Sequence, residues 1–316
     1  GQGFYRYAAG IAEDVKFYGD WLRDEAKRRI GHLYPQIELP VEYGGGPAEV
    51  VAWIWARTVP SPDPAFSNSP VPIASSFALS TKAGREAWIE PVVDRVNKRI
   101  DYVIKRRGDG SGLEAAKSGT KAGRGANFTC LLSQTAITPS YVKEMGKSGK
   151  LGQALIGIVA EGKNGRAYLA PDLEQERIAF SEKPKTRPTQ MQPDNPRWFS
   201  PPDYGMESFC DLFTDRQMIA VNTLGLLIAE VKEIAKVDSI SAGLPDDGVP
   251  LREGGAGALA YAEAISVYLA FLCNQVANHQ TSICGWNSAN SQMRSTFGRQ
   301  AIPMTWDFAE ANVFSD

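Results

Sequence analysis

The chain has 316 residues, 43% hydrophobic and 22% charged, with a formal net charge of −2. That balance excludes a disordered tail, because it supplies enough apolar surface to bury a sizeable core, and the length admits two units of ordinary domain size. No uninterrupted apolar run reaches the roughly eighteen residues of a membrane span, and the N-terminal stretch lacks the regions of a signal peptide. The sequence therefore reads as a cytoplasmic protein with no membrane partner.

In chain order, Ile11, Val15, Tyr18, Leu22, Ala26 and Ile30 recur at spacings of three and four, which predicts a helix with one buried stripe over 10–30. From 47 to 107 the pattern changes to short β-branched and aromatic runs, Val50 to Trp55, Trp88 to Val93 and Tyr102 to Ile104, which predict strands. The glycine-rich stretch 108–126 has no apolar periodicity and reads as a mobile surface loop. Strands follow at Phe128 to Leu132, Leu155 to Val159 and Arg166 to Leu169, with a short helix near Ser140 to Met145. Six prolines within 183–203 predict an extended connector, since each removes a backbone donor. Thr214 and Gln217 form a capping-box pattern ahead of a helix over 215–236, and a second, almost wholly apolar helix is expected over 254–278. The organisation is a helical segment over 1–46, a β-rich module over 47–182, a proline-rich connector over 183–214 and a helical segment over 215–316. The fold class is α+β.

Charge is unevenly placed. Residues 82–150 hold fourteen Lys or Arg against seven Asp or Glu, a local +7 that leaves −9 for the rest. Such a region can face phosphate or be an ordinary solvated surface. Cys130, Cys210, Cys273 and Cys284 are too dispersed for a disulfide framework and read as buried thiols. Asn127-Phe128-Thr129 is a glycosylation sequon without a secretory context. His32 and His279 have no ligand-type residue at metal spacing beside them.

Three short matches fail on chemistry. Gly146-Lys147-Ser148 ends like a phosphate-binding loop, but Tyr141 stands where the first glycine is required. Gly108-Asp109-Gly110-Ser111-Gly112 has Leu113 in place of the third glycine of a dinucleotide fingerprint. Ser200-Pro201-Pro202-Asp203 carries an aspartate where an amino methyltransferase needs an aromatic against the flipped base.

Longer phrases occur in one order. They are Ile11 to Val15 with Tyr18-Gly19 and Arg29 to Pro35; Trp53-Ile54-Trp55-Ala56-Arg57-Thr58-Val59; Tyr204-Gly205-Met206 with Asp211 to Thr214; and Phe297-Gly298-Arg299-Gln300-Ala301-Ile302-Pro303-Met304-Thr305-Trp306-Asp307-Phe308-Ala309-Glu310-Ala311-Asn312. Together they resemble the zinc-ribbon-containing adenine-specific DNA methyltransferases over essentially the whole chain.

The resemblance implies a middle segment of a larger α/β enzyme, flanked by a glycine-rich loop for S-adenosylmethionine and an Asp-Pro-Pro-Tyr loop for catalysis. Neither motif occurs in these residues. The Gly1 start and the Ser315-Asp316 end suggest a clipped chain. S-adenosylmethionine is then a cofactor of the complete parent, with none held by this chain, and DNA is the expected partner. The family's four zinc-ligand positions fall on Ser61, Ala65, Cys130 and Ser133, so the resemblance implies a degenerate, metal-free ribbon held by Ile73, Phe77, Leu79, Leu131 and Ile137.

Arg299, Trp306, Asp307 and Asn312 are expected nearest the parent's active site, and Lys105, Arg106, Arg107, Lys121 and Arg124 on DNA phosphates. The competing role for the first set is scaffold: Trp306 and Phe308 in the core, Arg299 paired with Asp307 or Glu310. The competing function is a non-catalytic module derived from the same family, binding nucleic acid or docking other restriction-modification or phage-defence proteins.

Overall fold

The computed structural model describes residues 9–315. The chain opens with α1 (Ala9–Ile30), β1 (Ile37–Leu39), β2 (Gly46–Ala48) and the long β3 (Val50–Pro60). It continues through β4 (Pro70–Ile73), β5 (Ala78–Ser80), β6 (Ala87–Asp94), β7 (Arg99–Arg106) and the one-turn α2 (Leu113–Ala116). Next come β8 (Phe128–Thr129), β9 (Ala136–Ile137), α3 (Pro139–Lys147), β10 (Gly152–Gly162), β11 (Gly165–Leu169) and α4 (Leu173–Ala179). The remainder is α5 (Asp215–Ser241), α6 (Ala258–His279), β12 (Trp286–Asn287), β13 (Gln292–Met293) and β14 (Asp307–Ala311). The α+β class holds.

One compact unit takes its described residues from 9–33, 184–186 and 218–277. In α1 the buried residues are Tyr18, Leu22, Ala26 and Ile30, four apart and so on one helical face. Two buttresses lock this stripe: Arg29 makes a two-pronged 2.7 Å pair with Glu230, and the Tyr18 hydroxyl donates to Asp238 at 2.9 Å. The apolar helix expected over 254–278 starts at Ala258, and its burial is one-sided. Ala258, Ala262, Ile265 and Leu269 are buried, whereas Val267, Tyr268, Phe271 and Leu272 are exposed. By length and composition this helix could also cross a bilayer.

The second unit draws on 34–183, 187–217 and 278–315. Its main sheet runs β11-β10-β3-β14, with β4 also paired to β3, and every ladder is antiparallel. A smaller sheet runs β5-β6-β7. Because β14 pairs with β3, residues on both sides of the proline-rich stretch build one sheet. Strand β3 is buried at ten consecutive positions, as a strand covered on both faces must be. Its alternation assigns the faces: Ala52, Ile54 and Ala56 join Ala309 in one apolar cluster, while Trp53, Trp55 and Arg57 point the other way toward Phe308 and Glu310.

The stretch 108–126 differs from the expected surface loop. It contains α2, and Ala116, Thr120 and Ala126 are buried. Single anchors of this kind leave no periodic trace. Of the five apolar residues expected to hold the ribbon, Ile73, Phe77, Leu79 and Ile137 are buried, but Leu132 takes the place expected for Leu131 because the strand ends at Thr129. Helix α5 starts at the expected capping box, with the Gln217 amide N–H donating to Thr214 Oγ1 at 3.1 Å and the Thr214 amide N–H donating to Gln217 Oε1 at 2.9 Å.

Within the first turn of α5, Arg216 is 1% exposed and lies 3.9 Å over the Trp53 ring, and its Nε donates to Glu310 Oε1 at 2.9 Å. Deleting one member of a buried pair strands the other charge. Glu310→Gln is therefore expected to cost about 3–5 kcal/mol, read as a lower urea midpoint at unchanged slope. A loss below about 1 kcal/mol would show the pair to be dispensable.

Candidate nucleic-acid interface

The start of β14 forms one wall of a cleft of about 500 Å³. Lys121, Tyr204, Arg294, Arg299, Trp306 and Asp307 line it, together with the Ser75-Ser76 turn. Three of the four residues expected near the parent's active site thus meet one of the five expected phosphate contacts.

Each wall has a local cause. Lys121 is held by its neighbours: the Thr120 amide N–H donates to the Ala74 carbonyl and the Ala74 amide N–H to Thr120 Oγ1, both at 2.9 Å. Gly119 makes this clamp possible, since its φ is +54° and an added Cβ would lie 2.4 Å from the Ala74 carbonyl oxygen. Tyr204 is placed by a second close approach, in which a Cβ on Gly146 would lie 2.3 Å from the Tyr204 carbonyl oxygen. The far wall depends on Arg57, a fully buried guanidinium without an acidic partner among the described residues. Its Nε donates to the Thr305 carbonyl at 2.8 Å and its Nη2 to the Ser282 carbonyl at 2.9 Å. Burial pushes its pKa down to about 10, so it is cationic at neutral pH.

Within the cleft, Trp306 packs edge-on against Phe128 at 5.3 Å and Tyr204 at 4.9 Å, with only 7% of its surface exposed. The Lys121 Nζ lies 4.6 Å over the Phe128 ring and donates to the Gly125 carbonyl. Desolvation lowers the Lys121 pKa, while the neighbouring Asp307 carboxylate opposes that shift. Asp307 is half-buried and accepts from the Ser75 amide N–H at 2.5 Å. Burial raises its pKa, and the amides of Ser75 and Ser76 hold it back. Arg294 and Arg299 are exposed and make no ion pair among the described residues. The arrangement offers three cations and one acid around an aromatic wall, suited to a polyanion carrying flat, stackable groups.

The other expected site residues lie elsewhere. Asn312 is buried as scaffold, donating from Nδ2 to the Val50 carbonyl at 2.8 Å. Arg299 pairs with neither Asp307 nor Glu310, whose partner is Arg216. Arg124 is not among the lining residues, although the next residue, Gly125, is. Lys105 sits on β7 across from Trp88 and forms a diagonal ion pair with Glu90 at 3.8 Å, and Arg106 and Arg107 line a separate cleft. The five basic residues therefore do not form one surface patch. Sequence reasoning missed Arg294, Tyr204 and Arg57. Arg57 left a signal as a lone charge within the apolar run Val50 to Val59, and Tyr204 stood only within a phrase of the resemblance, with no role attached.

Two of the four expected ribbon positions are in contact, Ser61 Oγ lying 3.3 Å from the buried Cys130 Sγ. Ala65 is exposed and Ser133 Oγ meets Thr135 Oγ1 at 2.8 Å. Among the described residues no group of three or more His, Cys, Asp or Glu could hold a metal. No protein-family model, curated protein or solved structure matches the chain.

Two outcomes follow from this chemistry. With one thiol at the ribbon positions, purified protein is expected to lose zinc on dialysis; stoichiometric zinc by elemental analysis afterwards would contradict the metal-free ribbon. The raised Asp307 pKa means that the folded state binds this proton more tightly than the unfolded state. Its contribution to stability therefore falls as pH rises from the ordinary carboxylate range through the raised value. The stability of Asp307→Asn relative to the parent should accordingly increase with pH in urea titrations, and a flat difference would place the carboxyl in solvent.

Proposed function

We propose that this chain is the DNA-facing segment of an S-adenosylmethionine-dependent, adenine-specific DNA methyltransferase, contributing DNA binding and scaffold without catalysing methyl transfer alone. The observation that carries the reading is the cleft in which Lys121, Arg294 and Arg299 surround Tyr204 and Trp306. The exposed guanidinium groups would neutralise backbone phosphates, and the half-buried Tyr204 ring, backed by the buried Trp306, would receive a base or sugar face. The Phe297 to Asn312 phrase supports the family, because Arg299, Trp306 and Asp307 line that same cleft. The Ser61–Cys130 contact supports a ribbon ancestry, since two separated positions of a metal site must meet in space.

The residues present do not fit S-adenosylmethionine. Its loop lies between a parallel strand and a helix, whereas the named strands here pair only antiparallel. No step of methyl transfer is assigned to this chain, and the cofactor belongs to the complete parent.

Fluorescence anisotropy with a labelled DNA duplex tests the reading. The chain should bind with an affinity that falls as salt rises, and Arg294→Ser and Arg299→Ser should each weaken binding and reduce the salt slope by about 1. Binding indifferent to salt and to both substitutions would remove the proposal. A protein-docking module of the same ancestry is the second reading, favoured by the exposed Phe17, Leu226, Val237 and Phe271. It predicts that DNA binding is absent while replacing these residues by serine leaves the fold intact and abolishes association with a partner protein.

A further inference from the structure

A second cleft, of about 390 Å³, shares no residue with the first and falls within the roughly 300–1,000 Å³ of small-ligand sites. Three chain reversals build it: the turn between β5 and β6, the end of β7, and the β10–β11 hairpin. Glycines at two of these turns admit the guanidinium groups. Gly165 has φ +121° and a Cβ there would lie 3.0 Å from Arg85 Nη1, while Gly84 has φ +81° and a Cβ there would lie 3.5 Å from Arg107 Nη1.

The cations of this cleft divide into committed and uncommitted groups. Lys82 donates to the Asn290 carbonyl at 3.0 Å, Arg166 pairs with Glu161, and Arg106 pairs with Glu42 at 3.3 Å while lying 4.3 Å over the Tyr43 ring. The side chains of Arg85 and Arg107 make no direct hydrogen bond or ion pair among the described residues, their amides alone being bonded, to the Lys82 and Glu86 carbonyls. Glu86 lines the same cleft, and its Oε2 is shielded from solvent and has no hydrogen-bond partner among the described residues. The amides of Glu86 and Gly84 and the charge of Arg107 hold its carboxyl below the usual range, so it is ionised at neutral pH. Two open guanidinium forks suit a phosphate, and a shielded acceptor without a donor calls for a hydroxyl or amine. The carboxylates of Glu42 and Glu86 in the lining would repel a continuous polyanion but leave room for a compact one.

We propose that this cleft binds a small phosphate monoester, such as a nucleoside monophosphate or a sugar phosphate. Arg85 and Arg107 grip the phosphate, and Glu86 accepts from a donor on the adjoining sugar or base. The site is independent of the DNA cleft. Titration calorimetry on the full chain, with adenosine 5′-monophosphate, inorganic phosphate and a DNA duplex as probes, tests it. The monophosphate should bind saturably, Arg85→Ser and Arg107→Ser should each weaken it about tenfold or more, and Arg299→Ser should leave it unchanged. Glu86→Gln should remove the preference for the monophosphate over inorganic phosphate. Unchanged melting temperatures of the arginine variants, whose side chains are exposed, separate lost binding from lost folding. Three results would overturn the proposal: no saturable binding of either small probe, the same affinity in all the arginine variants, or displacement of the monophosphate by the duplex. The last would assign the two guanidinium groups to a DNA phosphate.

Discussion

The Arg216 guanidinium, sealed between the Trp53 ring and the Glu310 carboxylate, is the contact on which the sheet unit depends. It joins the first turn of α5 to β14 and both to the central strand β3. Both side chains are 1% exposed, and Thr214 Oγ1 adds a donor to the same Glu310 oxygen at 3.0 Å, while Glu310 Oε2 and Arg216 Nη2 are buried without a hydrogen-bond partner among the described residues. Period-two alternation then transmits the placement. With Glu310 and Phe308 fixed toward Trp53 and Trp55, Ala309 and Asp307 must face the opposite side, where Asp307 meets the Ser75 amide at the cleft.

A second buried guanidinium acts differently. Arg57 meets carbonyl and hydroxyl oxygens and has no carboxylate partner among the described residues, with Phe308 5.3 Å beneath it, so its charge is dispersed over dipoles. By gripping Ser282 and Thr305 it holds together two segments that otherwise have little regular structure. The exposed Arg294 and Arg299 are carried on this same stretch. A buried cation thus supports exposed ones, which is a suitable division where phosphates are contacted by long side chains.

The two clefts separate what charge counting merges. The +7 over 82–150 suggests one basic face, yet β7 and the loop bearing Lys121 deliver their charges to different places. One cleft joins its cations to Tyr204 and Trp306, and the other joins them to a carboxylate. Aromatic walls suit stacked bases, whereas an acceptor beside guanidinium forks suits a small ligand with both a phosphate and a donor.

The sequence by itself determined the elements whose cause is local. Apolar spacing placed α1, the Thr214–Gln217 reciprocity started α5, and the β-branched and aromatic run Val50 to Trp55 marked a strand, whose burial on both faces only the structure showed. It also singled out Arg299, Trp306 and Asp307, which do share a cleft. Only the tertiary structure decided what surrounds them. Lys121 reaches Trp306 through a clamp on Ala74 that involves one glycine and one threonine, and Asn312 turns inward to the Val50 carbonyl. Such contacts join positions tens to hundreds of residues apart and leave no periodic signal. They depend on which strand pairs with which, and here β14 docks beside β3 because Arg216 and Glu310 can be buried only together.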